Sequence, residues 1–325
     1  MKTKSFFIIL SLLAGFCLLL ACSKTDDSLP IENYSEVDQY ADASMLNRDS
    51  YVTMVSTHMD VHYKVIGNGP VDIVFIPGWT NPLEVYSKQF EYFSDKARCI
   101  YIDLPGQGLS DAPEGVNYTM DLMANAVYEV LKKEGVSDFA AVGFSMGTVV
   151  LGQFERNHPG RITKLVNLDG GFSPWPPVGD PERDRYIAHL GAFCTSMGCW
   201  TSADKKAFAS LLVTETCSCD LKEFIEYFCC FPCCLMTNIY RNSMAEEVNQ
   251  PVGWSYPIMS IYSSQPADME YERMYFPNAG IHVMEGNGHV LQWAKYEIVN
   301  PLIWDFVSEG KKYAPQNDPL PFTVE

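Results

Sequence analysis

Residues 139–144 are almost wholly apolar, and a helical pattern begins at residue 146, so Ser145 alone must carry the chain from one to the other. Gly143 and Gly147 bracket it in Gly143-Phe144-Ser145-Met146-Gly147. A reversal that tight strains the backbone at the serine, and the glycines remove side chains that would collide with the adjoining strand and helix. An apolar run of this kind reads as a strand covered on both faces, which points to a sheet held between layers of helix. The helix start behind Ser145 favours negative charge developing there.

The rest of the chain repeats the alternation. Residues 51–56 and 61–66 alternate and lead to Gly67-Asn68-Gly69-Pro70, a hairpin-like opening. Residues 71–76 read as a buried strand ending in Pro77-Gly78, residues 82–93 as helix, and residues 99–102 as a strand closing on Asp103-Leu104-Pro105-Gly106-Gln107-Gly108. Thr119 caps a helix with Met123, Ala126, Val127, Val130 and Leu131 on one face. A strand over 165–168 ends at Gly170-Gly171, where the pattern stops. It resumes with a strand over 257–262, a helix near 269–276, a strand over 281–284 and a final helix around 296–307. The expected fold class is α/β, a mostly parallel sheet with helices on both faces. Residues 46–171 and 251–310 form its core, residues 172–250 are an inserted cysteine-rich cap, and residues 311–325 are a C-terminal tail.

Residues 1–21 hold Lys2, Lys4 and no acid, followed by an apolar run over 6–20. That is a secretory leader, shorter than the roughly 20 residues of a spanning helix. Its end, Leu19-Leu20-Ala21-Cys22, resembles the lipobox of bacterial lipoproteins. The resemblance implies cleavage before Cys22, acylation of that cysteine, a membrane-anchored polar linker over 22–45, and an outer membrane lipoprotein facing the periplasm or the cell surface. Cys99 reads as a buried thiol in a strand. Cys194, Cys199, Cys217, Cys219, Cys229, Cys230, Cys233 and Cys234 are an even set in an exported chain, which predicts disulfides. A zinc site is the rival, but the paired modules that bind zinc at regular spacing are missing. With 23 Lys+Arg against 40 Asp+Glu the formal charge is −17, and loss of the two leader lysines leaves 21 against 40, or −19. Such a surface repels phosphate backbones and excludes nucleic acid as a partner.

Four segments in order, Phe75-Ile76-Pro77-Gly78-Trp79, Asp103-Leu104-Pro105-Gly106-Gln107-Gly108-Leu109-Ser110, the Ser145 turn and Gly286-Asn287-Gly288-His289, resemble the α/β-hydrolase superfamily. The resemblance covers about residues 51–170 and 255–308. It implies Ser145 as nucleophile and His289 as the base that takes its proton. It also implies an oxyanion hole from the backbone N–H groups of Trp79 and Met146, although Pro77 stands where the superfamily usually has histidine. Two residues fit the order of the triad acid. Asp268 follows the strand at the commoner family location, slightly late, where it is equally placed to cap a helix. Asp169 ends the preceding strand, the alternative location in the superfamily, and is preferred because residues 257–289 are short for a loop delivering the acid. His58, His62, His158, His189 and His282 read as structural, as do Asp103 and Asp111.

These features predict a serine hydrolase that cleaves a carboxylic ester of a small molecule through an acyl-enzyme, with no metal or cofactor required. Phe172, Trp175, Phe193, Trp200, Phe208 and Phe228 in the insertion either roof an apolar substrate pocket or form the insertion's own core. A lactonase, a proline-type aminopeptidase anchored by an acid such as Glu246, a thioesterase, and a non-catalytic surface binding module on a hydrolase scaffold are the alternatives.

Overall fold

The computed structural model describes residues 47–213, 218–266 and 268–308. Its strands are β1 (Asn47–Thr53), β2 (Asp60–Ile66), β3 (Asp72–Ile76), β4 (Arg98–Ile102), β5 (Phe139–Phe144), β6 (Ile162–Leu168), β7 (Ile258–Tyr262) and β8 (Gly280–Val283). They form one sheet in the order β1-β2-β4-β3-β5-β6-β7-β8. The β1–β2 and β2–β4 pairs are antiparallel and the remaining pairs are parallel. Every residue of β5 and β7 is buried. Successive side chains on a strand point to opposite faces, so the sheet centre is covered on both sides.

The first hairpin differs from the expected spans: β1 ends at Thr53 and the chain turns over 54–59, with His58 at φ 58°. Thr53 Oγ1 donates to Asp60 Oδ1 at 2.5 Å across the mouth of that turn. Residues 82–93 are also not one helix, because a 3₁₀ turn over Leu83–Tyr86 precedes α1 (Ser87–Ser94). Helix α2 (Met120–Lys133) starts at Thr119, whose side chain accepts from Leu122 N, and it buries the expected stripe. It packs against α3 (Met146–Asn157), the helix that follows Ser145.

Four helices lie between β6 and β7: α4 (Pro181–Met197), α5 (Ser202–Leu211), α6 (Ser218–Cys230) and α7 (Cys233–Ser243). After β7 come α8 (Met269–Tyr275), α9 (Leu291–Ala294) and α10 (Tyr296–Ser308). Thr201 opens α5 with a reciprocal cap: its Oγ1 accepts from Asp204 N while the Asp204 carboxylate accepts from Thr201 N. Phe193, Trp200, Phe208 and Phe228 are buried against one another, with ring centroids 5.0–6.2 Å apart in the contacting pairs. Those aromatics are therefore the core of the inserted helices. Phe172 instead stacks on Tyr275, and Trp175 packs on Tyr186 and Arg183.

The disulfide expectation requires correction. Cys194, Cys199, Cys229, Cys230, Cys233 and Cys234 are all free thiols. Neighbouring residues on a helix point about 100° apart, so only one of each Cys-Cys pair can face inward. Cys229 Sγ donates to Ser202 O and Cys233 Sγ to Trp200 O, while Cys230 and Cys234 are exposed. Cys99 is a buried thiol whose pKa burial pushes well up. Cys217, the Cys219 side chain, Cys22 with the leader and linker, and the C-terminal tail lie outside the described residues.

Candidate active site

Ser145 sits between β5 and α3 at φ 53°, ψ −119°, a left-handed backbone that non-glycine residues adopt at a cost. Its N–H donates to Leu168 O at 3.0 Å and its carbonyl accepts from Thr148 N at 3.1 Å. A Cβ on Gly147 would lie 2.2 Å from Ile76 O, and one on Gly143 would lie 2.9 Å from Thr148 N. Both glycines are thus demanded by backbone running within contact distance.

Asp169 follows β6 at φ 46°, its N–H donating to Ile261 O on β7. Its carboxylate collects three donors: Ser263 N–H on Oδ1 at 2.7 Å, and Ser263 Oγ–H and His289 Nδ1 on Oδ2 at 2.8 and 2.6 Å. A carboxylate only accepts, so the proton of the neutral imidazole is on Nδ1 and Nε2 is left with its lone pair. The His289 ring rests 4.8 Å from that of Phe144, the residue before Ser145, and its N–H donates to Leu212 O of the insertion. Asp268 is elsewhere in its bonding. It caps α8, accepting from Glu270 N and Tyr271 N at 3.0 and 3.1 Å.

The loop after β3 closes over the serine, since a Cβ on Gly78 would be 3.1 Å from Ser145 Cβ. Trp79 Nε1 donates to Met236 O on α7, and its ring lies 5.7 Å from Phe228 and 5.1 Å from Tyr240. The inserted helices are therefore pinned to both the Trp79 loop and the His289 loop. Met146 is the first residue of α3, where N–H groups have no intrahelical acceptor.

Several supporting residues escaped the sequence reading. Ser263 directly follows β7, level with Asp169, and a serine at that strand end was the available signal. Asn167 is an amide inside an apolar strand. It is fully buried, exchanges hydrogen bonds with both N and O of Gly170, accepts from Thr148 Oγ1 and donates to Tyr262 OH. The Tyr262 hydroxyl in turn donates to Glu272, whose pKa burial raises to about 7. Asn167 thereby ties the helix behind Ser145 to the turn that carries Asp169. Asp103 is also internal: its carboxylate takes Leu83 N, Leu109 N and His62 Nδ1, while His62 Nε2 faces Asp49. Burial alone would lower the His62 pKa, but the two carboxylates outweigh it and raise it.

An eight-stranded sheet of this order, with a strained serine after β5 and a histidine–aspartate pair after β8 and β6, is the arrangement of the α/β-hydrolase fold. The comparisons agree. A family model for the alpha/beta hydrolase fold matches residues 73–192. A 2-hydroxy-6-oxononadienedioate/2-hydroxy-6-oxononatrienedioate hydrolase of Burkholderia vietnamiensis is 26% identical over 79% of this chain and 94% of its own length. A pimeloyl-(acyl-carrier protein) methyl ester esterase of Methylococcus capsulatus is 30% identical over 34% of this chain and 41% of its own. Among solved structures, an esterase from Exiguobacterium antarcticum superposes with TM-score 0.69 at 18% identity, covering 81% of this chain and all of that one. The chain has the α/β-hydrolase fold, and it is an enzyme, a hydrolase.

Proposed function

We propose that the protein is a serine hydrolase that cleaves a carboxylic ester. The observation that carries this reading is the 2.6 Å hydrogen bond from His289 Nδ1 to Asp169 beside a serine held at positive φ. Ser145 Oγ attacks the ester carbonyl and gives its proton to His289 Nε2, and Asp169 stabilises the imidazolium. The N–H groups of Trp79 and Met146 receive the oxyanion. Collapse expels the alcohol, which leaves with the proton from His289, and an acyl group remains on Ser145. Water then repeats the sequence on the acyl-enzyme and releases the acid. Every group in the scheme belongs to the chain itself.

Ester cleavage is favoured among hydrolase chemistries because two of the similar proteins are named as esterases. A second reading follows from the Burkholderia vietnamiensis relative, which matches over nearly its whole length and is named for an oxo-dienedioate substrate. The test is turnover by purified protein of short and long acyl esters, a lactone, an aminoacyl amide and a 2-hydroxy-6-oxo dienedioate, each with Ser145→Ala as control. Ester turnover that vanishes in the control supports the reading. Turnover of the dienedioate alone favours the second, and ligand binding without turnover of any compound makes the protein a binding module. We also propose that Cys22 is acylated and anchors the enzyme at the outer membrane; incorporation of labelled palmitate that Cys22→Ala abolishes is the expected result.

A further inference from the structure

We infer that Gln107 is a positioning residue that orients the oxyanion-binding peptide, supplying from the Asp103–Ser110 segment the hydrogen bonds that Pro77 does not make. The inference rests on the serine hydrolase reading above. Gln107 is 1% exposed, and all its side-chain polar atoms engage the backbone of one loop. Its Nε2 donates to Gly78 O and Asn81 O, each at 3.2 Å, and its Oε1 accepts from Thr80 N at 2.6 Å.

The geometry of the peptide unit gives these contacts their consequence. Gly78 O and Trp79 N–H belong to one planar peptide, and no peptide in the described residues is cis. In a trans peptide the C=O and N–H point in opposite directions, so a donor that fixes the carbonyl fixes the aim of the N–H. Gln107 therefore holds Gly78 O on one side while Trp79 N–H is presented on the other. The next peptide is held as well, through Thr80 N. Thr80 needs that grip: it is β-branched, fully buried and at φ 63°, a region where such residues are outliers. Its Oγ1 donates to Trp79 O, which closes the same turn.

The brace is itself rigid. Gly106 and Gly108 flank Gln107 at φ 80° and 56°, and a Cβ on Gly108 would lie 2.0 Å from Asp103 Cγ. Gln107 N donates to Leu104 O and Ser110 N to Gln107 O, so its backbone is fixed on both sides. Asp103 from the same segment takes Leu83 N, anchoring the far end of the loop. An oxyanion donor acts only when it is aimed before the charge develops, which is what this arrangement provides.

Two variants test the inference in steady-state ester hydrolysis and in the rate of fluorophosphonate modification of Ser145. Gln107→Ala should lower kcat roughly 10- to 100-fold with KM within about threefold, the signature of an interaction made in the transition state. Gln107→Glu keeps the shape but, ionised, turns an oxygen on the Gly78 and Asn81 carbonyls; protonated, it regains one donor. Its activity relative to wild type should therefore rise as pH falls from 8 to 6. The inference is overturned if wild type reacts and Gln107→Ala retains kcat within threefold, if the loss lies in KM alone, or if the Gln107→Glu ratio is flat with pH. If Gln107→Ala fails to fold, the near-isosteric Gln107→Glu carries the test. A wild-type enzyme inert to both ester and fluorophosphonate overturns the hydrolase reading itself, and this inference with it.

Discussion

Replacing Asp169 with asparagine separates the two candidate acids. The carboxylate now serves Ser263 N–H with one oxygen, and Ser263 Oγ–H and His289 Nδ1 with the other. An amide has one acceptor and one donor group, so it cannot satisfy both sides. With its oxygen toward Ser263 N–H, its NH₂ faces His289 and drives the imidazole proton to Nε2, the nitrogen that must receive the Ser145 proton. With its oxygen toward His289, its NH₂ opposes the Ser263 N–H, a conflict of about 1–3 kcal/mol. That biases the site about 5- to 150-fold toward the inactive tautomer, at 1.4 kcal/mol per tenfold. The reactive minority also lacks the charge that steadies the imidazolium, bringing the expected loss to roughly 10²- to 10⁴-fold in kcat/KM. Asp268→Asn leaves an equally good helix cap, so activity should stay within about twofold. The assay is ester kcat/KM together with the second-order rate of fluorophosphonate inactivation, on variants matched for thermal stability. Retention of activity within tenfold by Asp169→Asn, or a large loss in Asp268→Asn, refutes the reasoning.

Ser263→Ala removes one of two donors to Asp169 Oδ2 and keeps the backbone N–H, so kcat should fall about 3- to 10-fold at constant KM; an unchanged kcat means the hydroxyl does not hold the acid. Gly147→Ala drives a methyl group into Ile76 O and Pro77 O, both backbone, and should cost about 1–3 kcal/mol, lowering Tm by several degrees in a thermal melt. Glu272 predicts a pH dependence. Burial raises its pKa to about 7 from 4.5, against the pull of the Tyr262 hydroxyl. The native state thus holds this proton more tightly than the unfolded chain, and stability is lost as pH rises from about 4.5 to 7. Glu272→Gln still accepts from Tyr262 and does not titrate, so its advantage over wild type should grow across that window to at most about 3 kcal/mol. A stability difference that stays constant from pH 4.5 to 8 contradicts it.

The strand–helix alternation and the turn at Ser145 are legible in sequence because they are local. An unbroken apolar run, a helical stripe and glycines at contact positions each follow from neighbouring residues. What supports the site is not local. Gln107 meets Gly78, Ser263 meets Asp169 across 94 residues, and Asn167 meets Tyr262 across 95. A glutamine between two glycines and a serine after a strand carry no periodic signal, and only the sheet order brings them together. The aromatics of the insertion were ambiguous for the same reason, since composition does not say which rings face one another. The cysteine reading departs from the structure on side-chain direction, which composition does not give: the six cysteines described in the insertion are free thiols.

The central claim, that Ser145 is a nucleophile activated by His289, is tested most directly by treating the purified protein with a fluorophosphonate and mapping the adduct by mass spectrometry. The account predicts a single adduct on Ser145 that forms in wild type and is lost in His289→Ala. A folded wild-type protein that stays unmodified, or an adduct that forms as fast without His289, contradicts it.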